Sequence, residues 1–257
     1  MTAHESRSLV GPGDPAPVAI FNASGRSPFL LIGDHAGTAI PAALGTLGMA
    51  AADLSRHIAC DIGVRGMGHA LARLLDAAFI HQAYSRLVID CNRDPASADA
   101  VPEVSDGTSI AGNRSITEME LLERRAAIHE PYQAAIASHA AVRTGLDIPN
   151  ILVSLHSFTP VMNGESRPWH VGVLHGGGDA AFARRVLTAL CDRDGLTVGD
   201  NEPYRMDTTD HTVPRHAFAA AVPYVELEVR QDLITDAAGQ EKWAALLAEV
   251  LVAAQML

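Results

Sequence analysis

Two histidines stand where short apolar runs stop. Phe29–Gly33 (FLLIG) is followed at once by Asp34 and His35. Ile151–Leu155 (ILVSL) runs into His156, Ser157 and Thr159, and then into Pro160, which cannot continue a strand ladder. Between them in the chain lies Asp61, inside HIACDIG (57–63), and Glu226 and Glu228 alternate with apolar residues in YVELEV (224–229). Two neutral imidazoles and one carboxylate form a ligand set for a catalytic zinc ion with an open fourth position. Such an ion polarises a carbonyl and lowers the pKa of its water to about 7. A carboxylate that is not a ligand then carries a proton from the water to the leaving amine. Strand alternation puts Glu226 and Glu228 on one face, and Glu228 is nearer the strand end, so it is the candidate base.

Each of these residues has an ordinary structural use as well. A strand-end His can satisfy loop carbonyls. Asp61 can be an acid at a helix start, where the dipole favours it, and Glu228 can pair with Arg230. The ligands are scattered, with no HExxH-type motif to tie them together. Ser157 as a nucleophile would need a partnered base, and no GxSxG elbow exists. His57, His69, His81, His139 and His170 read as surface or packing residues, and Gly176–Gly178 as a turn, since no Lys-Ser/Thr follows to make a phosphate loop.

The elements that must position this set alternate along the chain. Strands are expected over Phe29–Gly33, Phe79–Ala83, Leu87–Ile89, Ile151–Leu155, Trp169–Leu174 and Tyr224–Val229, and a strand and loop over Gly195–Glu202. Helical spacing runs from Asp53 to Leu75, with Gly63, Gly66 and Gly68 suggesting a close approach to a neighbour. A second helix spans Thr117–Arg143, opened by a Thr117/Glu120 capping box and kinked or divided by Pro131. Ala180–Cys191 and Gln240–Gln255 complete the helices. The polar stretch Asp94–Arg114 is too long for a mere connector. This alternation predicts a three-layer α/β sandwich around a largely parallel sheet. Ligands in such sheets bind beyond the carboxyl ends of the strands, where both histidines fall.

Composition narrows the function. The chain has 257 residues, 48% hydrophobic and only 5% aromatic, which suits one large domain over 19–257 behind a flexible arm over 1–18. A net charge of −11 argues against nucleic acid and anionic membrane surfaces as partners. Cys60, Cys91 and Cys191 lie far apart without CxxC spacing, so a reducing cytoplasm is the expected compartment. No apolar leader or membrane-spanning run is present.

Taken together, DHAGTAIP (34–41), HIACDIG (57–63), YSRLVIDCNR (84–93), LHSFTP (155–160), RPWHVGVL (167–174), GDNEPY (199–204) and ELEVRQDL (226–233) resemble the N-formylglutamate amidohydrolase family, and within it the branch of predicted, uncharacterised members. The resemblance runs from Leu30 to Leu233. It implies a zinc-dependent, exopeptidase-like α/β fold and hydrolysis of the N-acyl bond of an acidic amino acid, giving formate and glutamate. A more distant resemblance to cell-wall amidases implies roles in the same order: His35, Asp61 and His156 as metal ligands and Glu228 as acid–base. Asp61 stands where those amidases carry Glu. Gln133 stands where the nearer family reads PYH, with His129 one turn earlier on that helix, and Gly37 replaces a small polar residue after DHA.

An acidic substrate calls for planar cationic forks, which Arg supplies. Lys is nearly absent, and the motif arginines are Arg86, Arg93, Arg167 and Arg230, with Asn92, Asn201 and Tyr204 as further polar contacts. Arg230 is expected on the face of Glu228, holding a substrate carboxylate or an oxyanion. The reading is a zinc amidohydrolase of a small N-acyl amino acid, first of all N-formyl-L-glutamate. Its rivals are hydrolysis of another acyl amino acid or short peptide, and a non-catalytic binder on the same fold, which would have no need of Glu228. The missing export signal disfavours a cell-wall amidase.

Overall fold

A computed structural model describes residues 8–257. Seven strands form one sheet: β1 Val18–Phe21, β2 Phe29–Gly33, β3 Ala78–Gln82, β4 Ile151–Phe158, β5 Val171–Leu174, β6 Val198–Asp200 and β7 Tyr224–Arg230, in the spatial order β1-β3-β2-β4-β7-β5-β6. The four central strands, β3, β2, β4 and β7, are parallel. β1 runs antiparallel at one edge, while β5 pairs antiparallel with β7 and carries β6 parallel to itself. The expected largely parallel α/β sheet is therefore present.

Strand parity decides what lies on each face. Leu31, Val153, Leu155, Val225, Leu227 and Val229 point to one side, where they pack with Val64, Met67 and Leu71 of α1 (Val64–Leu75), Phe182 and Val186 of α4 (Ala181–Cys191) and Trp243 and Leu247 of α5 (Ala237–Gln255). Leu30, Ile32, Ile80, Leu152 and Tyr224 point to the other, against Tyr132 and Ile136 of α3 (Glu130–Gly145) and against the buried Tyr84–Ile89 segment. Burying two apolar faces of one sheet gives the three layers.

Two local expectations are corrected. The helical spacing over 53–75 is split: a short turn of helix, Ala51–Leu54, is followed by turns, and α1 begins only at Val64. Gly63 stands at φ 84° with the Ile234 carbonyl where a Cβ would be, so Asp61 lies in a turn before the helix. Leu87–Ile89 is buried but is no strand. Its carbonyls are satisfied by side chains instead, Leu87 by Asn113 Nδ2 at 2.8 Å and Val88 by Arg124 at 3.0 Å. The Thr117 capping box is present and opens α2 (Glu118–Arg124), and the long helical run divides just ahead of Pro131, as expected. A wide π-turn over Arg125–His129 precedes it, and Pro131 falls in the first turn of α3, where its missing N–H is tolerated.

Of the arm expected over 1–18, residues 1–7 lie outside those described. Residues 8–18 lie on the body: Leu9 is buried, Tyr84 Oη donates to Pro15 O at 2.6 Å, and Val18 opens β1. Among the described residues no helix is long and apolar enough to cross a membrane.

Candidate active site

At the carboxyl ends of β2, β4 and β7 the α3-side face changes character. The positions that carry Ile32, Leu152 and Tyr224 lower down are continued by Asp34, by Ser154 and His156, and by Glu226 and Glu228. These side chains are all buried, and His156, Glu226 and Glu228 line a cleft of about 360 Å³.

The three expected ligands come together there. His156 Nδ1 lies 3.0 Å from Asp61 Oδ2, and His35 Nδ1 lies 3.5 Å from the same oxygen. One ligand atom from each residue fits within 4.8 Å of the others. Asp61 is held by two backbone contacts. Its own N–H donates to His35 O at 2.9 Å, and its Oδ2 accepts from Ser157 N at 3.2 Å.

The outward nitrogens are anchored by polar side chains. His35 Nε2 is 2.6 Å from Asp90 Oδ1. His156 Nε2 is 3.0 Å from Ser154 Oγ and 3.3 Å from Asp34 Oδ2. With a proton on each Nε2, both Nδ1 lone pairs face Asp61, the tautomer that a metal ligand needs. His35 Nδ1 is buried with no hydrogen-bond partner, and so is Glu228 Oε2. Buried polar atoms rarely lack partners, so an orphaned ring nitrogen facing a carboxylate and a second ring nitrogen fits a divalent cation. This buried set could hold one.

Burial works against charge on His35 and His156, yet the surrounding carboxylates outweigh it. They raise both imidazoles, His156 well above its ordinary value through Asp34 and Asp61. Burial likewise opposes ionisation of Asp61, but His35 and His156 pull its pKa down. For the two glutamates the neighbouring His156 compensates only in part. Burial raises Glu226 to about 8 and pushes Glu228 up as well. Glu228 is paired in register with His156 of β4 and Gly172 of β5. An elevated, unpartnered carboxyl beside a metal-binding set is what acid–base work at neutral pH requires.

The arginines are distributed differently from the expectation. Arg230 does extend β7, but its guanidinium bonds Asp232 at 2.7 Å and reaches the Pro168 and Trp169 carbonyls, away from the cleft. The strand continues, and a nearby acid and two carbonyls capture the side chain. Arg86 lines the cleft with its fork on Asp90 at 2.7 and 3.0 Å and a longer contact to Asp61 at 3.5 Å. Arg93 lines it too, paired with Asp99 at 3.1 Å. Arg167 sits over the Tyr204 ring at 4.8 Å and donates to its Oη at 2.9 Å, which leaves the phenol O–H free to donate at the rim. Asn92 lines the cleft, but its Oδ1 accepts from the His211 and Thr212 N–H groups and so fixes a loop. Asn201 accepts from His175 N at 2.9 Å and stays outside.

A family model for N-formylglutamate amidohydrolase matches residues 27–235. The chain belongs to the N-formylglutamate amidohydrolase family. Membership makes it a hydrolase of the amidohydrolase type. A gene product of Agrobacterium tumefaciens shares 33% identity, over 96% of this chain and 98% of that one, with a TM-score of 0.93. The N-formylglutamate amidohydrolase of Ralstonia eutropha shares the fold at a TM-score of 0.67 and 19% identity, over 94% of this chain and 98% of that one. A search of curated proteins finds no match.

Several functional positions escaped the sequence reading. Asp34 and Asp90 were visible inside family motifs but carried no role. Their pairing is crossed: Asp34 neighbours His35 in sequence yet contacts His156, while Asp90 contacts His35. His57, which reads from the sequence as a surface or packing residue, lines the cleft 3.5 Å from Asp106. Gln133, in place of the family's His, donates to Cys91 O at 2.8 Å and Thr212 Oγ1 at 3.1 Å and accepts from His216 Nε2 at 2.7 Å. Thr212 Oγ1 in turn donates to Asp34 at 2.8 Å, so a polar chain joins His216 to the support of His156. The long segment 94–114 contributes Asp99, Pro102, Ser105 and Asp106 to the cleft wall.

Proposed function

We propose that this protein hydrolyses the N-acyl amide bond of a small N-acyl amino acid, with a divalent metal, zinc first of all, held by His35 Nδ1, Asp61 Oδ2 and His156 Nδ1. The observation that carries the proposal is the convergence of those three atoms in a cleft beside Glu228, whose carboxyl has no structural partner. When bound, such an ion supplies Lewis acidity to the acyl carbonyl and the attacking water. The chain's own groups do the rest. Asp90 holds the His35 imidazole, and Ser154 Oγ with Asp34 close by holds that of His156, in the tautomer that presents Nδ1. Glu228 takes a proton from water as the C–O bond forms, and returns it to the amide nitrogen as the C–N bond breaks, leaving a carboxylic acid and a free amine. Tyr204 Oη, steadied by Arg167, donates to an oxygen of the substrate at the rim. A non-catalytic binder would have no need of an unliganded acid beside the metal-binding set.

The test is formate release from N-formyl amino acids by zinc-loaded protein, with N-formyl-L-glutamate, the substrate in the family's description, as reference. About one divalent ion per chain is expected by elemental analysis, and His156→Ala should lose both the ion and turnover. Full metal occupancy in that variant removes His156 from the site, and an undiminished rate after exhaustive chelation refutes the metal mechanism.

A further inference from the structure

Beyond the scissile bond, the charges in the cleft speak to the rest of the substrate. Its cations are mostly engaged internally. Arg86 is held by Asp90 and Asp61, Arg93 by Asp99, and Asp106 is taken by Arg56 at 2.8 Å. For three of the cleft's acids the balance reverses. Glu226 is paired in register with Ser154 of β4 and Leu174 of β5, is 2% exposed, lines the cleft, and has an Oε2 with no hydrogen-bond partner. Asp210 and Asp207 line the same cleft and join no salt bridge among the described residues. Asp210 is fixed by Asn92 Nδ2 at 3.3 Å and by the Asp207 N–H at 2.9 Å. Arg205, the cleft's remaining arginine, is exposed and in no salt bridge among the described residues. A carboxyl buried this deeply is ordinarily paired, and Glu226 is not.

Resting on the amidohydrolase reading, the geometry points to a cation subsite formed by Glu226 and Asp210, which takes an ammonium group on the amino-acid part of the substrate. The substrate class is then the N-acyl derivative of a basic amino acid, of the lysine or ornithine type, in preference to N-acyl glutamate. An ammonium brings three donors and a positive charge to the one Glu226 oxygen without a hydrogen-bond partner and to the Asp210 carboxylate, which joins no salt bridge among the described residues. A glutamate side chain would instead bring its carboxylate beside two acids that join no salt bridge among the described residues, which is disfavoured out of water. The net charge of −11 acts in the same direction on approach. The two acids of β7 divide the work: Glu228, in register with His156, moves protons, and Glu226, one alternation lower, reads charge.

The experiment measures kcat/KM of the zinc-loaded full chain on N-formyl-L-lysine, N-formyl-L-norleucine and N-formyl-L-glutamate. Norleucine keeps the aliphatic chain and lacks the ammonium. Lysine is expected to exceed norleucine by about tenfold or more, with glutamate poorest, the scale of one desolvated charge-assisted contact. Glu226→Gln and Asp210→Asn should each reduce the lysine-to-norleucine ratio, and Asp210, on the less buried wall, serves if the Glu226 variant fails to fold. A preference for glutamate, equal rates for lysine and norleucine, or an equal loss on all three substrates in both variants overturns the subsite. If none of the three releases formate, the hydrolytic reading fails by itself. Calorimetric binding of L-lysine against L-norleucine then decides the subsite: tighter lysine binding, lost in Glu226→Gln, supports it, and equal binding overturns it.

Discussion

The two faces of β4 and β7 have the same backbone, the same neighbouring strands and opposite fates. Val153 and Leu155, with Val225, Leu227 and Val229, are sealed under α1, α4 and α5 and carry no polar atom. One residue out of step, Ser154 and His156 with Glu226 and Glu228 are equally buried, yet each glutamate keeps an unpartnered oxygen. Burial alone therefore does not separate core from site. The separation lies in whether buried polar atoms are satisfied, because an unsatisfied buried carboxyl costs stability that only a ligand or a reaction repays. The helix-packed face holds the strands in register, and that register aligns Glu228 with His156.

Breaking the comparison on the polar side should cost rate and not stability. Glu228→Gln removes the proton carrier while keeping the shape, so kcat should fall by about 10²-fold or more. Metal content should stay at the wild-type level, and chemical denaturation of the metal-free protein should show stability unchanged or raised, because a buried carboxyl compensated only in part is gone. If Glu226→Gln is the variant that loses turnover on every substrate while Glu228→Gln is mild, the roles of the two acids are exchanged.

On the apolar side the expectation inverts. Leu227 lies between those glutamates and is fully buried in the helix-packed core. Leu227→Ala leaves a cavity and should cost about 2–5 kcal/mol of unfolding free energy. Its kcat per folded molecule at a permissive temperature should stay within about twofold of wild type, since the residue touches nothing in the cleft. A large kcat loss with unchanged stability would mean that register is not what the apolar face supplies.

This parity is also what made the site legible. YVELEV and ILVSLH show the alternation in one dimension, and a His at a strand end has only one edge of a parallel sheet to face. What stayed hidden depends on which distant residues fold against one another. That Arg86 closes on Asp90 and Asp61, and Arg230 on Asp232, is a competition among acids that spacing alone does not rank. The split at Gly63 was concealed because Leu54, Ile58 and Ile62 keep helical spacing, and the constraint comes from Ile234, far along the chain. Leu87–Ile89 reads as a strand for a similar reason, its carbonyls being satisfied by Asn113 and Arg124 rather than by a neighbouring strand.

The smallest expected effect concerns the polar chain behind the site. His35 and His156 are raised because acids outweigh their burial, whereas burial holds His216 down at about 4, with Arg215 and His211 acting in the same direction and Asp34 opposing. The folded state therefore takes up the His216 proton only near pH 4, and the unfolded chain takes it near 6.5. Between those values the unfolded state binds more protons, so stability rises with pH across that window and is lost as pH falls through it. The slope from this one group is on the order of 1 kcal/mol per pH unit, and it vanishes above about pH 6.5. His129, His139 and His211 are lowered as well, so the wild-type curve alone does not isolate it. The difference between wild type and His216→Gln, by urea denaturation of metal-free protein at pH 4.5 to 7.5, does. It should shrink as pH drops, because glutamine keeps a donor near Gln133 and has no proton to gain. A difference independent of pH would show that His216 is protonated alike in both states, and that its role is the hydrogen bond to Gln133 alone.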